Sequence, residues 1–188
     1  MSDFIVNKVK FFDDGRLLIY GGRLSYEHVF KKWANEPDDT PRYSATLLLD
    51  KDVHKDAIEK IKKLQAKLEQ EYFEGKIPKD KKFMRDGDDT GKPEYENCMY
   101  IAASEVKRRP AVIGMKKEEL DEDDGKLYSG CYVNMMISPW KQSNKHGKRI
   151  NANLLAVQLV KQAEAFGETS SKVNVDEDFD EVDDGFDN

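Results

Sequence analysis

Hydrophobic and polar residues alternate with a period of two over several short stretches of this chain, and once change to a helical period. The first apolar stretch, Phe4–Phe12, ends at the turn Asp13-Asp14-Gly15, a sequence that reverses the chain between strands. In Arg23–Trp33, Leu24, Tyr26, His28 and Phe30 alternate with Ser25, Glu27 and Lys31, the signature of a half-buried strand. A third strand, Arg42–Leu49, follows a loop in which Pro37 and Pro41 forbid regular structure. Then Ala57, Ile61, Leu64, Leu68 and Tyr72 recur at spacings of three and four, which places them on one face of an α-helix. Asp50 or Asp52 is the expected cap of that helix and Gly75 its expected end. Residues 75–96 are rich in Gly, Pro and charge and predict a long loop, the kind that in a compact domain carries function or mobility. Strand patterns resume at Asn97–Val106, Tyr128–Trp140 and Ile150–Val160, the last two joined by a hairpin around residues 142–148.

Three strands, one helix and three more strands describe a mainly β chain. That order fits an OB-fold, a five-stranded antiparallel Greek-key barrel, here with extra strands and loops and one helix between strands 3 and 4. The 188 residues are enough for one domain with a proper core, expected over residues 1–167. With 38% hydrophobic and 36% charged residues, that core has a well-covered surface. No apolar run approaches the roughly 18–20 residues of a membrane helix, so no membrane association is expected. The N-terminus, MSDFIVNKVK, lacks the apolar stretch of a signal peptide, and the protein is expected to stay where it is made. Cys98 and Cys131 sit in strand-like segments and are expected to be buried, reduced thiols.

Charge divides the chain unequally. Residues 176–188 hold eight Asp or Glu, no Lys or Arg, and two isolated aromatics, Phe179 and Phe186. The whole chain carries 31 bases and 37 acids for a net charge of −6, so that setting these eight acids aside leaves the rest at +2. Residues 168–188 therefore read as a disordered acidic tail, too poor in apolar side chains to fold by themselves. Solubilisation explains the acids but not the phenylalanines. Asp176, Glu177, Asp178, Phe179, Asp183, Asp184 and Phe186 are the residues expected to dock a protein partner.

Enzymatic constellations are weak. There is no phosphate-binding glycine loop, the histidines His28, His54 and His146 lie in different elements, and no cysteine has a CxxC partner. No cofactor or metal is expected. The stretch Asp86-Gly87-Asp88-Asp89-Thr90-Gly91 faintly resembles the start of a calcium loop, yet its twelfth position is Asn97 rather than Glu. A metal-dependent nuclease using Asp86, Asp88 and Asp89 is the rival reading from that class.

Aromatic residues interleaved with bases are more informative. Tyr26, Phe30, Lys31 and Trp33 cluster on the second strand and its exit, Arg42 and Tyr43 open the third, and Arg85 lies in the long loop. Lys107 and Arg108 follow the fourth strand, Tyr132 and Trp140 lie on the fifth, and Lys148 and Arg149 line the last hairpin. Single-stranded nucleic acid needs this combination, cationic groups for phosphates and flat rings for bases. Alternation leaves Tyr26, Phe30, Tyr43 and Tyr132 open as either core or contact residues. Trp33 and Trp140, at strand ends beside polar residues, are expected to be exposed.

Five segments then resemble one family. They are Gly22-Arg23-Leu24-Ser25-Tyr26, Arg42-Tyr43-Ser44-Ala45, Arg85-Asp86-Gly87-Asp88 with Pro93-Glu94-Tyr95, Ala102-Ala103-Ser104, and Tyr128-Ser129-Gly130-Cys131-Tyr132-Val133. In this order, over about residues 20–167, they are similar to the bacteriophage single-stranded-DNA-binding proteins of the DUF2815 type. The resemblance implies an OB-fold protein that coats single-stranded DNA in phage replication, recombination and repair, in the cytoplasm of the infected bacterial host. It also implies phage replication proteins, a polymerase, helicase or nuclease, as partners of the tail, and leaves a homodimer open. An RNA-binding or translational-control OB-fold protein is the alternative, because stacking platforms are largely blind to the sugar.

Overall fold

The computed structural model describes residues 4–166; the expected tail, from residue 168 on, with its docking residues, lies outside the described residues. Eight strands and one α-helix follow in chain order: β1 (Lys8–Phe11), β2 (Leu17–Trp33), β3 (Arg42–Asp50), α1 (Lys55–Phe73), β4 (Met84–Asp86), β5 (Cys98–Glu105), β6 (Ala111–Ile113), β7 (Tyr132–Asn144) and β8 (Gly147–Lys161). Five of them close a barrel in the order β2-β3-β5-β8-β7 and back to β2. Every contact in that ring is antiparallel except β5–β8, which meet in parallel at Ser104 and Asn153. This is the OB arrangement expected from the element order. The short strands β1, β4 and β6 extend it at the edges of β2, β5 and β8.

The barrel interior holds Ile19, Leu24, Leu47, Leu49, Ile101, Val133, Met135, Ile137, Leu154 and Val157, nearly all sealed from solvent. Alternate positions on the same strands face out, which is why period two was legible. β2 is the exception that matters. Gly21 and Gly22 bend it: a Cβ on Gly22 would come within 2.6 Å of the Leu47 side chain, and Gly21 sits at φ +72°. Further on, Tyr26 adopts φ 44° beside a register shift between Ser25 and His28. This bulge resets the alternation. Leu24 and Val29 fill the core, Ser25 is buried, and Tyr26 is turned out with 52% of its surface exposed, instead of one face carrying Leu24, Tyr26, His28 and Phe30.

Helix α1 falls between β3 and β4, hence between the second and third strands of the barrel ring. Its buried face includes Ala57, Ile58 and Ile61, with Leu64, Leu68 and Tyr72 packed partly against the core. The same face also buries two polar residues, Gln65 and Glu69. Neither Asp50 nor Asp52 caps the first turn. Asp50 accepts from the amides of Asp52 and Val53 in the preceding turn, while the helix amides of Asp56 and Ala57 donate to Asn7 Oδ1 at 2.9 and 3.1 Å. The cap is thus tertiary, supplied from the N-terminal segment. At the other end Glu74, in the left-handed region, closes the helix one residue before Gly75.

The segment expected as a long loop is ordered. It contains β4 and three single turns of 3-10 helix at Lys79–Lys81, Gly87–Thr90 and Pro93–Tyr95. A Cβ at Gly87 would meet the carbonyl oxygens of Tyr95 and Cys98 at 2.4 and 2.6 Å, so only glycine fits where this segment folds onto β5. Lys51 locks it further, its ammonium donating to Asp86 at 2.8 Å and Asp88 at 2.6 Å. Hydrogen bonds from these carboxylates push the Lys51 amine up to about 12, and Lys51 in turn holds both carboxyls below their ordinary 3.8. The clamp therefore stabilises the fold at every pH above 3.8 up to that of ordinary lysine ionisation. It weakens as acid protonates Asp86 and Asp88, and again in strong alkali. Lys51→Met is expected to lower the thermal midpoint by a few degrees near neutral pH, with the gap to the parent closing below pH 3.8; a gap independent of pH would mean the lysine acts by packing alone.

Candidate nucleic-acid interface

The outer face of β3 and β5 is built from small side chains. Ser44 lies opposite Ser104 and Thr46 opposite Ala102, all half-buried, so the sheet is bare enough for a flat ring to approach it. Around this floor the fold raises walls from elements far apart in sequence. From the β7–β8 hairpin come Trp140, Gln142, Arg149 and Asn151, from the start of β3 comes Arg42, and from β4 comes Arg85, together lining a groove of about 400 Å³. Register explains the hairpin wall. Trp140 pairs with Asn151 and Gln142 with Arg149, and the Asn151 amide donates to Gln142 Oε1 at 2.7 Å.

The groove is cationic because its arginines are not spent. Among the described residues no ion pair engages Arg42, Arg85 or Arg149, whereas Lys31 is paired with Glu122 at 3.2 Å and Lys51 with two aspartates. Arg85 stands out. Its guanidinium lies 5.2 Å from the centre of the Tyr100 ring, and its buried Nε has no hydrogen-bond partner among the described residues. A charged donor removed from water and left unbonded is costly, which suits it to an acceptor that arrives with a ligand.

Aromatic rings extend the groove in both directions. Toward β2, Tyr100 meets Tyr95 at 5.2 Å and Tyr95 meets the exposed Tyr26 at 6.3 Å. The Lys92 ammonium stands 4.4 Å over Tyr26 and 5.2 Å over Tyr95, and the Ser25 hydroxyl lies within hydrogen-bonding distance of the Tyr95 hydroxyl. At the opposite edge Trp33 pairs in register with Arg42 and stacks on His28 with ring centres 4.7 Å apart and 5° between planes. Trp33 and Trp140 are 48% and 41% exposed, as their strand-end positions led one to expect.

Of the residues singled out from the sequence, the groove thus joins Arg42, Arg85, Trp140 and Arg149, with Trp33 and Tyr26 at its ends. Lys107 and Arg108 are exposed on the loop that leaves β5, their amides turned onto the Glu105 carboxylate, beside Val106 at the groove rim. Tyr43 and Phe30 are half-buried on the neighbouring surface, Tyr43 beneath Lys32 and Phe30 beneath Arg109. Three residues lie elsewhere. Lys31 belongs to a small cleft with Glu27 and Glu122, Lys148 sits over Phe73 of α1, and Tyr132 packs on Phe4 beneath Arg23. Sequence reading missed Lys92, Tyr95 and Tyr100. Tyr100 had a signal, since it heads the outward series Tyr100, Ala102, Ser104 on β5, and Tyr95 stood in the family-like segment Pro93-Glu94-Tyr95; Lys92, in the presumed loop, had none.

The carboxylates of the calcium-like stretch are occupied otherwise. Asp86 and Asp88 bind Lys51, and Asp89 pairs with Lys79 at 3.1 Å, so the space a metal would take is held by ammonium groups. The two thiols, Cys98 and Cys131, are free and buried, and burial pushes Cys98 up to about 11. The end of the described chain is also fixed beside the rings. Arg23 donates to the carbonyls of Gly130 and Glu164 and covers Phe166 at 4.1 Å, and Phe166 packs on the cluster of Leu48, Tyr95 and Cys98, as Tyr100 also does.

Comparison with known proteins agrees with this geometry. The structure of the single-stranded DNA-binding protein from bacteriophage Enc34 in complex with ssDNA is 39% identical, covers 87% of this chain and 96% of its own, and superposes with a TM-score of 0.77. A C-terminally truncated form of the same phage protein matches equally well, at 39% identity over 86% of this chain and 94% of that one, with a TM-score of 0.76. The single-stranded DNA-binding protein gp2.5 of bacteriophage T7 shares the fold at 15% identity, with a TM-score of 0.53 over 85% of this chain and 97% of that one. Protein p50 of Acyrthosiphon pisum secondary endosymbiont phage 1 is 37% identical over 99 residues, 53% of this chain and 52% of that protein. The matched stretch spans about half the length of this curated relative. The family model described as the ssDNA-binding protein of Enterobacter phage Enc34 matches residues 16–187, nearly the whole sequence, and this chain belongs to that family.

Proposed function

We propose that this chain is a phage single-stranded-DNA-binding protein, a binder and not a catalyst, that coats and protects single strands with little sequence preference during DNA replication, recombination and repair. The observation that carries the reading is the groove on β3 and β5, where Arg42, Arg85 and Arg149 without ion-pair partners surround a floor of small residues and exposed rings flank it. That face and the loops around it are where OB-folds take oligonucleotides, and the Enc34 relative was solved in complex with ssDNA. The arginines hold phosphates, while Trp33, Trp140 and Tyr26 stack bases whatever their identity. The site of action is the cytoplasm of an infected bacterium. The acidic tail recruits replication proteins and competes with DNA for the groove; in support, Phe166, where the described chain ends, packs against the same cluster of Leu48, Tyr95 and Cys98 as the groove-side Tyr100.

A competition titration with single-stranded DNA, duplex DNA and RNA of equal length tests the reading. Single-stranded DNA is expected to bind most tightly, with log affinity falling linearly in log salt, and duplex much more weakly because its bases are already stacked. Equal affinity for duplex and single strand at moderate salt overturns it, and preference for RNA hands the groove to the alternative. Run in parallel, a chain ended at Val175 is expected to bind single strands more tightly than the full chain, most of all at low salt, where tethered carboxylates are least screened. Indistinguishable affinities leave the tail no competing role.

A further inference from the structure

A second cleft opens on the far side of Arg85. Helix α1 and the segment Lys79–Thr90 enclose about 540 Å³, within the range of ligand sites. Its floor includes the buried Met84 and Met99, and Ala66 lies on its helical wall. The walls are held rigidly. The amide of Gln65 grips the Met84 backbone on both sides, accepting from its N–H at 3.0 Å and donating to its carbonyl at 3.2 Å. The buried Glu69 accepts from the Ile77 amide at 3.1 Å and pairs with Lys82 at 2.6 Å. Lys82 and Lys79 are thereby spent, Lys79 on Asp89. Among the described residues, Lys62, Lys76 and Arg85 are the cations of this cleft that no ion pair engages.

Arg85 lines this cleft and the groove alike. Its buried Nε has no hydrogen-bond partner among the described residues. The carboxylates of the lining, Glu69, Asp80, Asp86 and Asp89, are each paired with a lysine, so the unpaired cations set the sign of the rim. An apolar floor with such a rim suits a nucleotide, the base lying against methionine and the phosphates meeting lysine. Groove and cleft in sequence, joined at an arginine lacking an acceptor, suit a continuous polyanion better than two separate ligands. We propose that the bound single strand does not end in the groove but turns at Arg85, which takes a phosphate at the bend, and continues into the α1 cleft. There Met84 and Met99 receive a base, and Lys62 and Lys76 hold its flanking phosphates. This rests on the reading of the groove as a single-strand site, and it makes the cleft the part of the protein that lengthens the footprint.

The test compares oligo-dT of about 6 and about 20 nucleotides, lengths that fall within and beyond a single OB site, on the full chain. Lys62→Ala/Lys76→Ala is expected to weaken the longer oligonucleotide about tenfold at low salt and to reduce its log–log salt slope by about 1.4, the share of two single-strand phosphates. The shorter one is expected to bind as before. Ala66→Trp fills the cleft from an exposed helix position without changing charge, and is expected to reproduce the length-selective loss. Equal losses at both lengths, or none at either, overturn the cleft while leaving the groove intact. Failure of the unmodified protein to bind either oligonucleotide removes the groove reading and the cleft with it.

Discussion

Arg42→Ala, Arg149→Ala and Trp140→Ala combined are expected to lower affinity for single-stranded DNA on the order of several hundredfold at low salt. Two lost phosphate contacts account for about tenfold, and they reduce the salt slope by about 1.4. Loss of the Trp140 ring accounts for the rest, about 1–3 kcal/mol by itself. The thermal midpoint is expected to stay nearly unchanged. Arg42 is exposed, Trp140 is 41% exposed, and among the described residues neither arginine takes part in an ion pair. Trp140→Ala alone separates the two contributions, since it is expected to weaken binding at all salt concentrations and leave the slope where it was. Wild-type affinity in the triple variant, or a collapse of its stability, would show that the hairpin wall serves the fold instead of the ligand.

The second large effect lies beneath the site. Glu69→Ala is expected to destabilise the protein by about 2–3 kcal/mol, measured by denaturant unfolding. Glu69 is 5% exposed, and its removal strands the buried Ile77 amide and leaves Lys82 without its partner. Loss of one member of a fully buried pair costs about 3–5 kcal/mol. The Lys82 side chain keeps 19% exposure and can reach water along its stem, which lowers the figure. Glu69→Gln retains an acceptor for Ile77 and is expected to fall between the two. Because the same helix face grips Met84 through Gln65, loosening it also frees β4 and with it Arg85. Single-strand affinity is therefore expected to drop in Glu69→Ala even where the protein remains folded. Unfolding curves that superpose on the parent would show that the ion pair and the Ile77 bond contribute nothing net.

How much of this was legible beforehand depended on how local each cause is. Six strand patterns and the helix were readable because a strand buried on one face alternates every second residue and an amphipathic helix repeats every third or fourth. β4 and β6, three residues each, are too short to show any period, and their pairing to β5 and β8 comes from barrel neighbours. The same limit hid Lys92, since the single 3-10 turn that follows it carries no repeat, while Tyr95 was marked only as part of the family-like segment Pro93-Glu94-Tyr95. Alternation left Tyr26 open between core and contact because a bulge inserts one extra residue and reverses every later position on the strand, which no local pattern announces. The helix cap was misplaced for a different reason. Sequence names the nearest carboxylates, but Asn7 reaches the first turn only once β1 has folded against α1.

The sequence alone determined the kinds of groups this protein brings to its partners and the order of its elements. Both are written in residue identity and spacing, from a body of net +2 before eight clustered acids to rings and bases at strand ends. Tertiary structure decided which of those groups act together. The parallel closure of β5 on β8 brings the hairpin beside β3 and β4, so that Trp140 and Arg149 face Arg42 and Arg85 across one floor. Closure also left Tyr132 and Lys148 elsewhere, and ion pairing withdrew Lys31. A charge is available to a ligand only if no neighbour neutralises it, and neighbours across a barrel are set by strand register and closure, which no local pattern of residues encodes.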